Sequence, residues 1–330
     1  MPRRRIGFLG FAAVCALAVS LPNGALRGGE ASPAEEAEPV EAETTELEPE
    51  APRIQPDWRS DFESALKEAA ASDRVILIYF RADWSQPCDW VDRGSFGKKK
   101  MVTYISRYFI PLRVDDTEET SPLSRRYEIR VYPTVLFLDP AGEPLHMVLG
   151  PRMPRQFYDI MEKVRMLPGL IQAQKASPDD LEANFSPGMA FADLNQLRRA
   201  APFLKRAAEL DPENKHGRRD KAELLLAMAP LEDGDSARVL ENLDAYMARF
   251  GGSAEIPVAI YWKGTVLYRD GRLEEARKVF DRLQKEFPTH AMTYKADKAI
   301  AAIAARLRAR EVEKTRTEDD NQEKEPEPKG

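Results

Sequence analysis

The stretch WSQPC at 84–88 carries the residues whose types and spacing bear most directly on chemistry. A dithiol that exchanges disulfides has cysteine at both ends of a four-residue window, and here Ser85 takes the first end and Cys88 the second. The attacking group in that chemistry is a thiolate, which the N-terminal end of a helix stabilises. A serine hydroxyl is a far weaker acid and forms no disulfide. The pattern therefore predicts that this window does not perform dithiol exchange.

Each of the two residues has more than one interpretation. Ser85 is interpreted as the cap of a helix that opens at Pro87, or as what is left of a redox motif. Serine catalysis would need an adjacent base, and no histidine lies within sixty residues of Ser85 along the chain. Cys88 is either a small buried apolar side chain or a functional monothiol that forms mixed disulfides. Only in the second case is Cys88 a catalytic residue.

The few cysteines and histidines limit other kinds of site. The cysteines are Cys15 and Cys88, and the histidines are His146, His216 and His290. We therefore expect no metal site and no cofactor. No basic tract interleaved with aromatic residues occurs, so we expect no nucleic-acid partner.

The N-terminus has the pattern of an export signal. Three arginines at 3–5 precede an apolar run over 6–21. We expect residues 1–25 to be a signal peptide, with an uncleaved anchor that tethers the chain to a membrane as the alternative. The protein is then exported, to the periplasm or another extracytoplasmic compartment.

Two acidic segments flank the rest of the chain. Residues 28–52 contain nine glutamates and no lysine or arginine, and residues 311–330 contain eight acidic and four basic residues. Such segments cannot bury enough apolar surface to offset the entropy of ordering. The composition predicts a disordered acidic linker over 26–56 and a disordered charged tail over 311–330.

Residues 57–167 show the pattern of an α/β domain. A continuous apolar run, VILIYF, is typical of a strand that is buried on both faces. Elsewhere, apolar residues recur at helical spacing, and turn residues separate two further strands. The predicted elements are a helix, a strand, a helix, a strand, a hairpin and a helix, at 58–70, 75–80, 87–107, 109–115, 133–150 and 154–166. This order predicts a mixed sheet flanked by helices.

Residues 176–310 are predicted to be helical throughout, with three units that repeat at about 38 residues. The clearest unit is 257–290, where a glycine, an alanine, a phenylalanine and a proline fall at helix-turn-helix spacing. The unit at 181–214 fits less well, and the middle unit has an irregular turn. A change of composition near Pro168-Gly169 predicts the boundary with the preceding domain.

Both regions resemble known families. The stretches YFRADWSQPCDWVDRGSF (79–96) and VYPTVLFLDPAGE (131–143) are similar to the thioredoxin superfamily, in particular to exported domains like the C-terminal domain of DsbD. The repeats are similar to tetratricopeptide repeats (TPR). The resemblance implies a thioredoxin-like α/β fold followed by an all-α, TPR-like domain.

The resemblance also assigns positions in the site. The Cys-x-x-Cys motif of the family corresponds to Ser85 and Cys88, and its cis-proline corresponds to Pro133. Tyr132 then borders the place where substrate binds. Many thioredoxins have a buried aspartate six residues before the first cysteine, and Tyr79 stands there. Loss of both the nucleophile and the acid argues against a dithiol enzyme.

Two functions of different class follow. The first is a redox-inactive interaction or adaptor protein that binds extended peptides or protein partners at Trp84, Ser85, Tyr132 and Pro133. In that case the repeats offer a second surface. The second is a monothiol thiol-disulfide oxidoreductase that acts through Cys88 alone.

Overall fold

The computed structural model describes residues 54–116 and 121–322. The chain divides into two units after Asp159. The predicted signal or anchor over 1–25 lies outside the described residues, as does nearly all of the linker over 26–56.

The first unit contains a four-stranded mixed sheet. Its strands are β1 (Val75–Ala82), β2 (Phe109–Asp116), β3 (Thr134–Leu138) and β4 (Pro144–Leu149), in the spatial order β2-β1-β3-β4. β1 runs parallel to β2, whereas β3 runs antiparallel to both β1 and β4. β1 is buried almost along its whole length, as its apolar sequence predicts. The predicted mixed sheet of a thioredoxin-like fold is therefore present.

Five helices belong to or begin in this unit. They are α1 (Phe62–Ser72), α2 (Gln86–Val91), α3 (Lys99–Tyr108), α4 (Pro122–Arg126) and α5 (Pro154–Ala176). α1 begins where the Asp61 carboxylate accepts a hydrogen bond from the Ser64 backbone N–H at 2.7 Å. Its buried face packs against alternate side chains of β1, including Ile76 and Phe80. α1 therefore covers the apolar face of the sheet to which these side chains belong.

The prediction of a single helix over 87–107 is wrong, because the chain forms two α-helices there, α2 and α3. A π-helical turn over Asp92–Phe96 follows α2, and Gly97 separates it from α3. A Cβ atom on Gly97 would lie 2.7 Å from the Asp92 carbonyl oxygen, which is closer than atoms can approach. The absence of a side chain at Gly97 permits this tight break.

The helix predicted over 154–166 is longer in the structure, since α5 continues to Ala176. Pro168, near which a domain boundary was predicted, lies inside this helix. A proline removes one backbone hydrogen bond from a helix and does not always end it. The leucines, glutamines and alanines around it favour helix, and they outweigh the local signal.

The second unit is a helical array, in which consecutive helices contact each other. Its helices after α5 are α6 (Leu181–Asp193), α7 (Leu197–Leu210), α8 (Arg219–Met228), α9 (Ser236–Arg249), α10 (Ile256–Arg269), α11 (Leu273–Glu286) and α12 (Ala291–Gln322). The pairs α6–α7, α8–α9 and α10–α11 correspond to the three predicted repeats. The helical region resembles TPR repeats, as the sequence indicates.

The sequence predicts a disordered tail from 311 onward, but in the structure α12 extends to Gln322. Glutamate, lysine and arginine are good helix formers, so a charged composition is compatible with helix. Residues 323–330 lie outside the described residues. Within the described ranges, no helix is both long and apolar enough to cross a membrane.

Glycine sets the distance between paired helices in the first and third repeats. A Cβ atom on Gly188 would lie 2.7 Å from a side-chain carbon of Leu204, and one on Gly264 would lie 2.6 Å from the ring of Phe280. The two pairs have the same spacing along the chain. Each glycine therefore lets a bulky side chain of the second helix fill the space beside the first.

The middle repeat departs from this arrangement. Leu226 and Asn242 stand at the positions that glycine and the bulky residue take in the other repeats. The Asn242 side-chain amide donates a hydrogen bond to the carbonyl oxygen of Ala227 at 3.3 Å. A 3-10 helix over Ala229–Asp233 also lies between α8 and α9. The weak sequence match of this repeat thus has a structural counterpart.

Candidate functional site

The Ser85–Cys88 window and the Tyr132-Pro133 loop lie side by side at one end of the sheet. The window follows β1, and the loop precedes β3, which pairs with β1. The Ser85 hydroxyl donates a hydrogen bond to the Tyr132 carbonyl oxygen at 3.3 Å. The Tyr132–Pro133 peptide bond is cis, as the resemblance implies.

Ser85 occupies the N-cap position of α2, but its hydroxyl does not cap the helix. The side chain is buried and bonds across to the loop instead. The interpretation of Ser85 as a helix cap therefore holds for its position only. The hydroxyl joins the window to the residue before the cis-proline.

Cys88 and Trp84 differ strongly in exposure. Cys88 is 0% exposed and free of any disulfide, whereas Trp84 is 65% exposed. The Trp84 ring meets the Tyr132 ring edge to face, with 5.6 Å between centroids. The thiol is therefore shielded, and an aromatic pair is presented beside it.

A buried carboxylate fixes the side chain of Tyr132. Asp116, at the end of β2, is 2% exposed. Its Oδ2 accepts hydrogen bonds from the Tyr132 hydroxyl at 2.5 Å and from the Ser124 hydroxyl at 2.5 Å. Its Oδ1 accepts one from the Ser121 backbone N–H at 2.7 Å. Tyr132 is thus held by its side chain at Asp116 and by its carbonyl at Ser85.

The charge state of this cluster follows from its hydrogen bonds. Burial acts to raise the pKa of Asp116, but the hydrogen bonds from Ser124, Tyr132 and Ser121 outweigh it, and the pKa is lowered. Burial and the bond to Asp116 raise the pKa of Tyr132 to about 12. At neutral pH the carboxylate is therefore ionised and the phenol remains a donor.

A second acidic side chain, that of Asp92, lies near Tyr79 and Cys88. The buried Tyr79 hydroxyl donates a hydrogen bond to the Cys88 carbonyl oxygen at 3.3 Å. Burial raises the pKa of Tyr79, and the charge of the neighbouring Asp92 raises it further. Burial also raises the pKa of Asp92, although its Oδ2 lies 3.2 Å from the Nε of Arg81. Tyr79, which bonds to the backbone of Cys88, therefore has a half-buried acid, Asp92, as its neighbour.

Sequence reasoning missed Asp116 and Asp92. Asp116 had a weak signal, because an acid at the end of a strand precedes the helix start Ser121-Pro122. Asp92 had only its spacing of one helical turn from Cys88, and nothing in the sequence indicates its approach to Tyr79. Within the residues that the structure covers, no group of three or more histidine, cysteine or acidic side chains is arranged to hold a metal ion.

The first unit matches a known family. Residues 57–140 match the family model described as thioredoxin-like. The match covers the sheet strands up to β3, the window and the loop. Together with the strand order and the cis-proline, it identifies this part of the chain as a thioredoxin-like domain.

Solved structures with similarity to the chain fall into two groups. DsbH oxidoreductase is 15% identical over 38% of this chain and 96% of its own, with a TM-score of 0.31. A thioredoxin from Thermus thermophilus is 23% identical over 34% of this chain and 88% of its own, with a TM-score of 0.30. A Podosopora anserina protein with kinesin light chain TPR-like repeats is 16% identical over 52% of this chain and 92% of its own, with a TM-score of 0.35.

Proposed function

We propose that the thioredoxin-like domain is a redox-inactive module that binds extended polypeptide at the surface that Trp84 and Tyr132 present next to the buried Ser85 and Pro133. The observation that carries the proposal is the contrast in exposure between Cys88 and Trp84. A thiol without exposed surface cannot attack a disulfide unless the domain opens. An exposed indole against a fixed tyrosine can contact a partner directly.

The contacts of Tyr132 support binding by a preformed surface. The Asp116 carboxylate fixes its hydroxyl, and the Ser85 hydroxyl fixes its carbonyl oxygen. A surface that is ordered before it binds loses little conformational entropy when a partner arrives. Val131, the residue before Tyr132, is also exposed and adds to the apolar surface available for contact.

Two wider parts of the proposal rest on sequence pattern. The TPR-like array offers a second surface for protein partners, which would raise overall affinity if one partner reaches both. The basic and apolar pattern of residues 1–25 supports action outside the cytoplasm.

Replacing Trp84 with alanine is expected to weaken peptide capture at least about tenfold, since truncation of an aromatic anchor removes roughly 1.4 kcal/mol or more of binding free energy. The measurement is enrichment of random extended peptides displayed on phage, followed by affinities of the selected peptides. Trp90→Ala is the matched control, because Trp90 is also exposed but lies on α2. Equal losses in both variants, or none in Trp84→Ala, would place binding elsewhere.

A monothiol oxidoreductase is the second candidate function, and it is favoured by Asp92, the acid next to Tyr79 near Cys88. In a Cys15→Ser variant, Cys88 is the only thiol. We expect its reaction with a disulfide reagent to be at least about a hundredfold slower in the native protein than in denaturant, because it must await local opening. Native and denatured rates within about tenfold of each other would support the monothiol enzyme instead.

A further inference from the structure

One arginine connects three carboxylates next to the buried cysteine. Arg81 lies near the end of β1, and its side-chain nitrogens are 3.1 to 3.3 Å from carboxylate oxygens of Asp89, Asp92 and Asp115. Asp115 belongs to β2, so its pair with Arg81 holds the guanidinium against the sheet. The other two acids belong to α2 and to its C-terminal end. We call these four side chains the Arg81 cluster.

The two acids of α2 flank Cys88. Asp89 is the next residue along the chain, and Asp92 follows Cys88 by about one helical turn. The Arg81 cluster therefore ties the segment that carries the thiol to two strands of the sheet. Because Cys88 is part of α2, its thiol reaches solvent when α2 moves away from the sheet.

α2 is too short to be stable by itself. It has six residues, and isolated helices shorter than about 12 residues are marginal in water. The Ser85 hydroxyl does not cap its first turn. Its buried side chains, Cys88 and Val91, attach it to the rest of the domain, together with the Arg81 cluster. Loss of the cluster therefore weakens a helix that has little stability of its own.

Asp92 depends on Arg81 more than the other two acids do. The Asp92 side chain is 12% exposed, whereas the side chains of Asp89 and Asp115 are 49% and 43% exposed. Water solvates the exposed carboxylates with or without a cation, but a carboxylate shielded from water requires compensation of its charge. The neighbouring Tyr79 is a neutral donor and does not supply a charge. Without Arg81, Asp92 regains water when the end of α2 moves outward.

We propose that the Arg81 cluster is an autoinhibitory latch, which holds α2 against the sheet and keeps the Cys88 thiol shielded. Release of Asp92 from Arg81 frees α2 and makes the thiol reactive. Arg81 is a positioning residue in this device, since it acts on the thiol only through α2. The inference rests on the shielding of Cys88 that the proposed function uses, and it adds the contact that maintains this shielding.

The test is the rate at which a neutral disulfide reagent, 4,4′-dithiodipyridine, reacts with Cys88 in the native full chain that carries Cys15→Ser. The thiol loses its proton to solvent, and the thiolate attacks the disulfide of the reagent. A mixed disulfide forms and one thiopyridone is released, whose absorbance is followed. We expect Arg81→Gln to raise this rate at least about tenfold, because α2 opens more often.

A double variant separates lost charge compensation from lost packing. Arg81→Gln/Asp92→Asn removes the guanidinium and also the carboxylate that depends on it. An amide needs less solvation than a carboxylate, so α2 should close again and the rate should return to within about threefold of the unmodified protein. A rate that stays as high as in Arg81→Gln would overturn the latch.

Arg59→Gln is the matched control. Arg59 is also partly buried and lies 2.8 Å from Glu68, but this pair joins the N-terminal segment to α1. Its Cys88 rate should stay within about twofold of the unmodified protein. Equal acceleration in Arg59→Gln and Arg81→Gln would overturn the latch, because it would assign the effect to overall stability.

The urea dependence of the rate gives a second readout. Opening of a short helix exposes little surface, so the Arg81→Gln rate should rise only slightly with urea below the unfolding transition. A rise as steep as that of global unfolding would overturn the latch. A thiol that stays slow in Arg81→Gln would also overturn it but would leave the proposed function intact. A thiol that is already fast in the unmodified protein would contradict the proposed function itself.

Discussion

Replacing Asp116 with alanine is expected to lower the free energy of unfolding of the thioredoxin-like domain by about 3–5 kcal/mol. The change removes a buried acceptor of three hydrogen bonds, leaves the Tyr132 hydroxyl without its acceptor, and leaves the Ser124 hydroxyl with only its bond to the Ser121 hydroxyl. Bonds to a charged group contribute roughly 1.5–3 kcal/mol each, and orphaned buried donors add to the loss. The measurement is urea unfolding by tryptophan fluorescence, which reports mainly on this domain because Trp58, Trp84 and Trp90 lie in it.

Asp115→Ala is the control for this prediction. Asp115 is the neighbouring residue on β2, but its ion pairs with Arg81 and Arg113 are largely exposed to solvent. Such pairs contribute about 0–1 kcal/mol. A loss in Asp116→Ala no larger than in Asp115→Ala would show that the cluster does not stabilise the loop.

The same carboxylate makes stability depend on pH. The folded pKa of Asp116 lies below its unfolded value, which is about 3.9. Its stabilisation is therefore complete above that value and is lost as the pH falls through the folded pKa. The Asp116→Asn variant lacks this titrating group. Its loss in free energy of unfolding relative to the unmodified protein should therefore be largest near neutral pH and should shrink below about pH 4.

Introducing the missing thiol is expected to create an activity. Ser85→Cys should form a disulfide with Cys88 on oxidation and should reduce insulin in the presence of dithiothreitol at least about tenfold faster than the unmodified protein. A thiol at the start of α2 has a lowered pKa, and a fall from about 8.5 to about 7 raises the thiolate fraction at neutral pH about tenfold. The backbone N–H of Cys88 already bonds to the Ser85 carbonyl oxygen at 2.9 Å, which sets the compact turn.

The control is Ser85→Cys/Cys88→Ser, which has one thiol in the window and should lack reductase activity. If the unmodified protein already reduces insulin as fast as Ser85→Cys, the proposal of a redox-inactive module is wrong. If Ser85→Cys forms no disulfide, the window does not have the geometry that a dithiol needs.

The sequence was informative where burial follows local pattern. The apolar run of β1 predicts its central place, since only a strand covered on both faces tolerates it. The proximity of Ser85 and Tyr132 followed from the resemblance. The break at Gly97 was not predictable, because it depends on backbone carbonyls that approach only in the folded chain.

The polar groups of the site were harder to predict than its position. Asp116 and Tyr132 are separated along the chain by the α4 region, and nothing in their spacing indicates a shared hydrogen bond. Asp92 lies at the end of α2, one helical turn after Cys88, and nothing in the separation of residues 79 and 92 along the chain indicates that they meet. Position 79 alone suggested the loss of a buried acid, but the structure places a half-buried acid, Asp92, next to Tyr79 from another element.

The unequal packing of the three repeats has a consequence for how the array moves. An array of repeats gains its cooperativity from the interfaces between neighbours and from the stability of each unit. The first and third units are interlocked through Gly188 and Gly264, whereas the middle unit has Leu226 and a polar residue, Asn242, at the corresponding positions. We therefore expect the amide hydrogens of α8 and α9 to exchange with solvent through the lowest-energy opening of the array. The array is then expected to bend or open at its middle repeat, α8–α9, as well as at its ends.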